Sequence, residues 1–138
     1  MDRVDKEIVE MLRENSRIPF VEIARKLNIP ESSVRYRIKN LISRGVIKRF
    51  TVELGKDGTI EALTLIKVHP QTDIEELCKE ILKKDCVYEV YEISGAFDIA
   101  LLLCASDMKN INDTVNQIRS LERVKETITH FVMKKHEK

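Results

Sequence analysis

The basic residues of this chain are concentrated in one segment, residues 29–50, which also contains side chains suited to hydrogen bonding. The segment has one acid, Glu31, against six cations, namely Arg35, Arg37, Lys39, Arg44, Lys48 and Arg49. Hydroxyl, phenol and amide groups lie between the cations, at Ser32, Ser33, Tyr36 and Asn40. Cations at this density can contact phosphates, while the neutral polar groups can hydrogen-bond the edges of nucleic-acid bases. The chemistry that these residue types favour is recognition of a polyanion.

A basic segment of this kind can also be a solvated helix surface or a membrane-surface helix. A charged helix surface is most often solvated without a specific partner, and a basic amphipathic helix can lie on a membrane. The membrane interpretation is weakened because the apolar face is narrow and is needed by the core of the domain. The solvated interpretation is weakened because the cations have almost no acids to offset them. We therefore interpret the segment as a DNA-reading helix with basic residues behind it.

Apolar residues at helical spacing predict three helices that would position this segment. The first two cover residues 5–14 and 20–27. The third begins at Glu31 or Ser32 and ends with Gly45 as its cap. Its side chains predicted to face inwards are Val34, Ile38, Leu41 and Ile42. A supporting helix followed by two short helices with a tight turn between them is a helix-turn-helix.

The outward side of the third helix follows from this inward stripe at 100° per residue. Small hydroxyls, an amide and an aromatic ring lie opposite the stripe, with arginines on its flanks. The residues that we predict to face base edges are Ser32, Ser33, Tyr36, Arg37 and Asn40. Those that we predict to contact phosphates are Arg35, Lys39, Arg44, Lys48 and Arg49.

After Gly45 the apolar period changes from helical to alternating, which predicts further elements. Residues 46–54 are predicted to form a strand resembling the wing of winged helices, closed by a hairpin turn at residues 55–58. The next predicted elements are a strand at 60–68, a helix at 74–83, strands at 87–93 and 97–105, a helix at 108–121 and a strand at 124–133. This order is the ferredoxin-like βαββαβ plan. The predicted fold class is α+β, with a winged helix-turn-helix at 1–54 and a ferredoxin-like domain at 59–138.

One strand of the second domain is apolar on both of its faces. Residues 97–105 read FDIALLLCA, and after Asp98 no charged residue interrupts them. Helices cover only one face of a ferredoxin-like sheet, whereas a strand that is apolar on both sides needs cover on both. Since no further helix is predicted, we expect a second copy of the sheet to cover the other face. The chain is therefore predicted to form at least a homodimer.

Composition and charge limit the class of protein. Residues 1–50 carry 12 Lys and Arg against 7 Asp and Glu, whereas residues 51–138 carry 12 against 16. The start of the chain is charged where a secretory signal needs an apolar core, and the longest apolar run is too short for a bilayer. The three cysteines show no CxxC spacing and are interpreted as reduced, buried thiols. We expect a cytoplasmic protein without a membrane partner, metal or cofactor.

Three stretches of the chain resemble the Lrp/AsnC (feast/famine) transcription regulators. They are DKEIVEMLRENSRIPFVEIARKLNIPESSVRYRIKNLISRGVIKRFTVEL, VYEVYEISGAFDIALLL and RVKETITHFVMKKHE. The second contains the G-x-x-D element of that family, from Gly95 to Asp98. The resemblance implies a sequence-specific regulator that binds double-stranded DNA and dimerises through its ferredoxin-like half. It also implies octamers or related rings, with small effectors, commonly amino acids, bound between dimers.

The resemblance places the effector pocket near the turn that contains Gly95. That glycine is also explained as a turn residue with positive φ. Asp98 heads an otherwise apolar strand, so its carboxylate either caps the turn or accepts the ammonium group of an amino acid. Thr127 and Thr129 lie two residues apart on the last strand and can supply hydroxyl groups. The predicted effector-binding residues are therefore Gly95, Asp98, Thr127 and Thr129.

Two alternatives from other functional classes share this fold. Some relatives of the family are haem-precursor decarboxylases, which makes a tetrapyrrole-related enzyme the first alternative. The three histidines are dispersed, and the sequence has no HExxH, P-loop or GxGxxG motif to support catalysis. The second alternative is a ligand-sensing scaffold whose helix-turn-helix contacts only proteins. A gel shift with the promoter region of the protein's own gene distinguishes this scaffold from a regulator.

Overall fold

A computed structural model describes residues 1–53 and 58–136 of the chain. The chain divides into two compact units, Met1–Gly55 and Lys56–Lys138. Each unit has a hydrophobic core of its own. No helix of the described residues is long and apolar enough to cross a bilayer.

The N-terminal unit contains the three predicted helices. Their bounds are Arg3–Glu14 (α1), Phe20–Leu27 (α2) and Glu31–Ser43 (α3). Ile8, Ile23 and Val34 contribute one fully buried side chain from each helix to a shared core. The helix-turn-helix prediction is confirmed by these three helices and their shared core. The helices pack on one another because only packing buries apolar residues that recur at helical spacing.

The C-terminal end of α3 is fixed by Gly45, as predicted. Gly45 has a φ of +70°, which a glycine adopts without strain. Its backbone N–H donates to the Ile42 carbonyl, and the Val46 N–H donates to the Leu41 carbonyl, both at 2.9 Å. These two bonds form a Schellman motif, which satisfies carbonyl groups that would otherwise have no partner.

One side chain of α3 points differently from its prediction. Ile42 is 46% exposed, whereas Val34, Ile38 and Leu41 are buried. At 100° per residue, position 42 lies roughly 80° around the helix from Val34, beyond the stripe that α1 and α2 cover. The prediction that Ile42 faces inwards is therefore wrong.

The predicted wing strand is also absent from the part of the chain that the structure describes. Residues 46–53 lie in no strand, and Phe50 and Val52 are exposed. Alternating apolar residues form a strand only when the backbone groups pair with a neighbouring strand, and residues 46–53 lie in no such ladder. The hairpin turn predicted at residues 55–58 falls, except for Gly58, outside the described residues.

The second unit has the predicted strand and helix order. Its elements are Ile60–Val68 (β1), Ile74–Ile81 (α4), Val87–Glu92 (β2), Ile99–Ala105 (β3), Met108–Arg119 (α5) and Val124–Phe131 (β4). The four strands form an antiparallel sheet in the order β2-β3-β1-β4. The ferredoxin-like prediction is confirmed, and β1 and β3 are the two central strands.

The two faces of this sheet differ in cover. Leu101 and Ile66 lie on the face that packs against α4 and α5, and both are fully buried. The opposite face contains Leu63 and Leu102, which are paired across β1 and β3, and Ile128 of β4. Leu63 is 38% exposed and Ile128 is 37% exposed. We call the surface of Leu63, Leu65, Tyr91, Leu102 and Ile128 the open face.

The three cysteines are free, as predicted, but they are half-buried rather than buried. Burial, together with the negative charge of Glu92, raises the pKa of the Cys78 thiol. A raised pKa keeps this thiol protonated and poorly reactive near neutral pH.

Candidate functional site

A groove runs along the outward side of α3 in the N-terminal unit. It has a volume of about 370 Å3. Its lining residues are Asp5, Ser32, Ser33, Tyr36, Arg37, Asn40, Leu41 and Arg44. The groove therefore brings together all five residues predicted to face base edges and one residue predicted to contact phosphate. We call five of these lining residues, Ser32, Ser33, Tyr36, Asn40 and Arg44, the reading face.

The reading face offers several neutral hydrogen-bonding groups to solvent. Tyr36 is 68% exposed, Ser32 is exposed, and Ser33 and Asn40 are half-buried. Ser33 and Asn40 are therefore each partly covered by the protein and partly open to a partner. Amide and hydroxyl groups can pair with base edges in the major groove of DNA.

The cations predicted to contact phosphates fall into two groups. Arg35 pairs with Glu31, with 2.5 Å between Arg35 Nη2 and Glu31 Oε1, and its guanidinium lies 5.2 Å from the centre of the Phe20 ring. The remaining four are exposed, and no ion-pair partner is found for them among the described residues: Lys39, Arg44, Lys48 and Arg49. Of these four, only Arg44 lines the groove. Lys48 and Arg49 lie in the segment that follows α3.

Arg37 lines the groove but is engaged within the protein. Its Nη1 lies 2.6 Å from Asp2 Oδ2 and 2.7 Å from Asp5 Oδ1. A hydrogen bond from the Asp5 backbone N–H, together with the Arg37 guanidinium, lowers the pKa of Asp2. The hydrogen bond to Asp2 is the largest cause of a raised pKa of Arg37, and the hydrogen bond to Asp5 is the next largest. The charged forms of Asp2 and Arg37 are therefore stabilised in the folded state.

Asp2 and Asp5 are site residues that the sequence analysis missed. Their spacing is a signal that could have found them, because an acid followed three residues later by another acid before an apolar run is a capping box. The structure has this capping box at the start of α1. The signal places the two carboxylates at a helix start but does not reveal that Arg37 lies beside them.

In the second unit, Gly95 and Asp98 lie at one end of the sheet. Gly95 has a φ of +122°, as expected of a turn residue. Asp98 Oδ2 accepts the Val68 backbone N–H at 2.9 Å, and the Asp98 backbone bonds to Ile66 and Ile93. The Asp98 side chain therefore links the start of β3 to the end of β1.

The two threonines of β4 are engaged on the face of the sheet that the helices cover. Thr129 Oγ1 lies 2.9 Å from Thr64 Oγ1 in the neighbouring strand. Thr127 Oγ1 accepts Arg119 Nε of α5 at 3.2 Å. Each hydroxyl therefore already has a partner in this structure.

A second cavity, of about 330 Å3, opens at the same end of the sheet as Asp98. Its lining consists of Lys67, Val68, His69, Pro70, Gln71, Thr72, Ile74, Asp98 and Lys125. Among the four predicted effector residues, only Asp98 contributes to this cavity. Lys67 Nζ donates to the Ala96 carbonyl at 2.9 Å, which connects the cavity to the turn that contains Gly95. Within residues 1–53 and 58–136, no cluster of three or more potential metal ligands is present.

Comparison with known families agrees with this division into two units. Residues 1–48 match a winged helix-turn-helix DNA-binding domain, and residues 61–138 match the Lrp/AsnC ligand binding domain. The chain belongs to the Lrp/AsnC family. The HTH-type transcriptional regulator LysM of Sulfurisphaera tokodaii is similar to this Lrp/AsnC chain, with 40% identity over 97% of the chain and 96% of the relative.

Solved structures show the same Lrp/AsnC fold. The crystal structure of PH0061 has a TM-score of 0.87 and 26% identity, and the match covers 99% of this chain and 95% of that one. The NMB0573/L-Met complex from Neisseria meningitidis has a TM-score of 0.89 and 22% identity, over 100% and 93% of the two chains. The protein is thus an Lrp/AsnC transcriptional regulator with a DNA-binding helix-turn-helix and a ligand-binding domain, which confirms the predicted function at this level.

Proposed function

We propose that the reading face of α3 enters the major groove of operator DNA and selects its sequence. The observation that carries this proposal is the groove beside α3, where neutral polar side chains lie on one surface with Arg44, for which no ion-pair partner is found in the described part of the chain. Neutral polar groups supply discrimination between bases, and the exposed cations supply affinity that is independent of sequence. In this proposal Ser32, Ser33, Tyr36 and Asn40 face base edges.

The backbone contacts come from the cations around the reading face. Lys39, Arg44, Lys48 and Arg49 have no acidic partner among the described residues, so each can replace a counterion on a phosphate. Arg35 can do so only in competition with Glu31, and we expect it to contribute less. Selection of bound duplexes from random-sequence DNA tests the proposal. Recovery of a shared sequence motif supports it, and recovery of unrelated sequences contradicts it.

The ligand of the second unit is, in this proposal, a free amino acid. The cavity at the end of the sheet presents one carboxylate, Asp98, and the ammonium groups of Lys67 and Lys125. Groups of both signs complement the ammonium and carboxylate of a zwitterion. The fold neighbour from Neisseria meningitidis was solved as an L-Met complex, which supports the ligand class but not its side chain.

A thermal-shift screen against the twenty amino acids tests this ligand class. A ligand that binds only the folded state at 100 times its Kd raises the free energy of unfolding by about 2.7 kcal/mol. We expect at least one amino acid to raise the melting temperature, and Asp98→Ala to lose that response while it still binds DNA. If none of the twenty shifts the wild-type protein, the ligand is not an amino acid. If Asp98→Ala responds as the wild type does, the binding site lies elsewhere.

The other three predicted effector residues stay predictions with a narrower role. Gly95 lies in the turn that Lys67 contacts through Ala96, so it can shape the rim of the cavity. Thr127 and Thr129 can reach a ligand only after Arg119 and Thr64, respectively, release their hydroxyls. Thr127→Val and Thr129→Val therefore test whether these hydroxyls affect the ligand response at all.

The open face carries the proposal that the chain works as a homodimer, with octamers as a further stage of assembly. Exposed leucine and isoleucine side chains on a sheet are stabilised when a second sheet covers them. Light scattering tests the assembly, and a wild-type monomer at micromolar concentration would contradict it.

The relatives are named as transcriptional regulators, and we infer a cytoplasmic regulator that works without catalysis or cofactor.

A further inference from the structure

Two carboxylates at the start of α1 bind Arg37 and complete a network in which every carboxylate oxygen has a donor. Asp2 Oδ1 accepts the Asp5 backbone N–H at 2.8 Å, and Asp5 Oδ2 accepts the Asp2 backbone N–H at 3.3 Å. The remaining oxygens, Asp2 Oδ2 and Asp5 Oδ1, accept Arg37 Nη1. The carboxylates that cap α1 therefore also hold a residue near the middle of α3.

We propose that Arg37 is a positioning residue, which sets the reading face of α3 against α1 and does not itself contact DNA. The proposal rests on the proposed DNA-reading function of α3. It assigns Arg37 a different role from the one predicted from its position on the helix. The contacts join residues that are 32 and 35 positions apart in sequence, so they restrain the tertiary arrangement of the two helices rather than either helix alone.

The local charge favours a positioning role over a phosphate contact. One guanidinium faces two carboxylates, so the cluster of Asp2, Asp5 and Arg37 has a formal net charge of −1. A phosphate near Arg37 would meet this negative cluster, and Arg37 would have to leave charged partners to bind it. Asp5 is only 8% exposed, and therefore solvent screens its attraction to Arg37 less than it screens a surface ion pair.

Lys39 supplies a matched comparison two residues along the same helix. It is exposed, and no ion-pair partner for it is found in the described part of the chain. Lys39 is therefore available to release a counterion from DNA, whereas Arg37 is already neutralised. The two cations share a helix and a formal charge but differ in what surrounds them.

The test uses the full chain and one fixed duplex that the wild-type protein recovers from random-sequence DNA, with an unrelated duplex for comparison. The variants are Arg37→Gln, Asp5→Ala, the double variant and Lys39→Gln. The measurements are the ratio of specific to non-specific affinity and the salt dependence of binding. Stability is followed by thermal unfolding, so that affinities are compared at a temperature where each variant is folded.

If Arg37 positions the reading face, Arg37→Gln lowers the specificity ratio about tenfold, or about 1.4 kcal/mol, and leaves the salt slope unchanged. Asp5→Ala lowers the same ratio by less, because Asp2 still binds Arg37. The double variant is no worse than Arg37→Gln alone, because Arg37→Gln has already removed the contact with Asp5. Lys39→Gln instead lowers the salt slope by about 0.9 and keeps the ratio. A role in stability alone would leave the specificity ratio of the folded variants unchanged, and that result overturns the proposal.

Two other results would also overturn it. If Arg37→Gln lowers the salt slope as Lys39→Gln does, Arg37 contacts phosphate. If Asp5→Ala tightens binding to both duplexes, the carboxylate competes with DNA for Arg37. If Arg37→Gln does not fold, Arg37→Lys is measured instead, because lysine retains the charge but not the geometry of the contact with both carboxylates. A lowered specificity ratio for Arg37→Lys then supports the proposal, and an unchanged ratio overturns it.

The contact between Arg37 and the two carboxylates can be judged separately from the proposed function. If the wild-type protein recovers no sequence motif, the sequence-reading function of α3 fails. A thermodynamic cycle of unfolding with Arg37→Gln and Asp5→Ala still measures the coupling of the two residues. Coupling in that cycle supports the contact between α1 and α3, and strictly additive effects overturn it.

Discussion

The reading face of α3 and the open face of the sheet are both exposed in a single chain, but they differ in how favourably water solvates them. The reading face presents hydroxyl, amide and cationic groups, which water solvates well. The open face presents Leu63, Tyr91 and Ile128, each at least 37% exposed. Apolar surface costs about 25 cal/mol for each Å2 left in water, whereas solvated polar groups cost little.

This difference in solvation indicates how long each face is expected to stay bound to its partner. A face that is stable in water can bind and release its partner, and salt can tune the binding because counterions compete for the same phosphates. A face that is unfavourable in water favours a partner that stays. We therefore expect reversible DNA binding at α3 and lasting association between copies at the open face.

The largest effect should come from a charge introduced into the sheet, and it should depend on the face that the substituted side chain occupies. Leu101 is fully buried against the helices, whereas its neighbour Leu102 belongs to the open face. Leu101→Lys buries a charge without a partner, and we expect it to cost more than about 4 kcal/mol and to abolish folding. Leu102→Lys should remain folded but form smaller particles. Circular dichroism and light scattering of the two variants check this, and equal behaviour would remove the distinction between the faces.

A large loss of DNA affinity should follow from neutralising the cations around the reading face. The variant replaces Arg35, Lys39, Arg44, Lys48 and Arg49 with glutamine. We expect the slope of log affinity against log salt to fall by about 0.9 for each phosphate that is no longer neutralised. Because Arg35 already pairs with Glu31, the four other cations should account for most of the change. Unchanged DNA affinity at physiological salt would show that DNA does not bind this surface.

A smaller and more specific effect should come from the neutral residues of the reading face. Tyr36→Ala and Asn40→Ala should each cost about 1–3 kcal/mol at the base pair that the residue contacts. Affinity for unrelated DNA should stay the same, because neither residue carries a charge. Binding to a set of operator variants, one base pair changed at a time, measures this. Ser43→Ala is a suitable control, since its hydroxyl bonds to the Asn40 carbonyl and lies outside the groove lining.

The smallest effect should be a difference in acid sensitivity between the two units. The pKa of Asp2 is lowered in the folded protein, first by the Asp5 backbone N–H and then by Arg37. A carboxyl group with a lowered folded pKa stabilises the protein above its unfolded pKa and loses that contribution as pH falls through the folded pKa. Below about pH 4 the α1 and α3 contact should therefore weaken. Asp2→Asn should remove this part of the acid response, as followed by amide exchange in α1 with α4 as internal control.

Much of the fold was predictable because local periodicity encodes local geometry. Apolar residues at helical spacing predicted the three helices of the first unit, and apolar runs bounded by turn residues predicted the four strands of the sheet. Gly45 was recognised as the cap of α3 because few other residues adopt its φ without strain. Alternation alone failed at residues 46–53, where it predicted a strand but no neighbouring strand is present to pair with them in the described chain.

The sequence by itself therefore determined most of the elements that form, where most of them end and which side of α3 is polar. Only the tertiary structure decided that Arg37 is held by Asp2 and Asp5, and that Thr129 already bonds to Thr64. It also decided which of Leu101 and Leu102 faces the helices. The physical reason is that a periodic pattern depends on neighbours within a few residues. The contacts of Arg37 and Thr129 join side chains more than thirty residues apart, and the helices that cover Leu101 reach it only after the chain has folded.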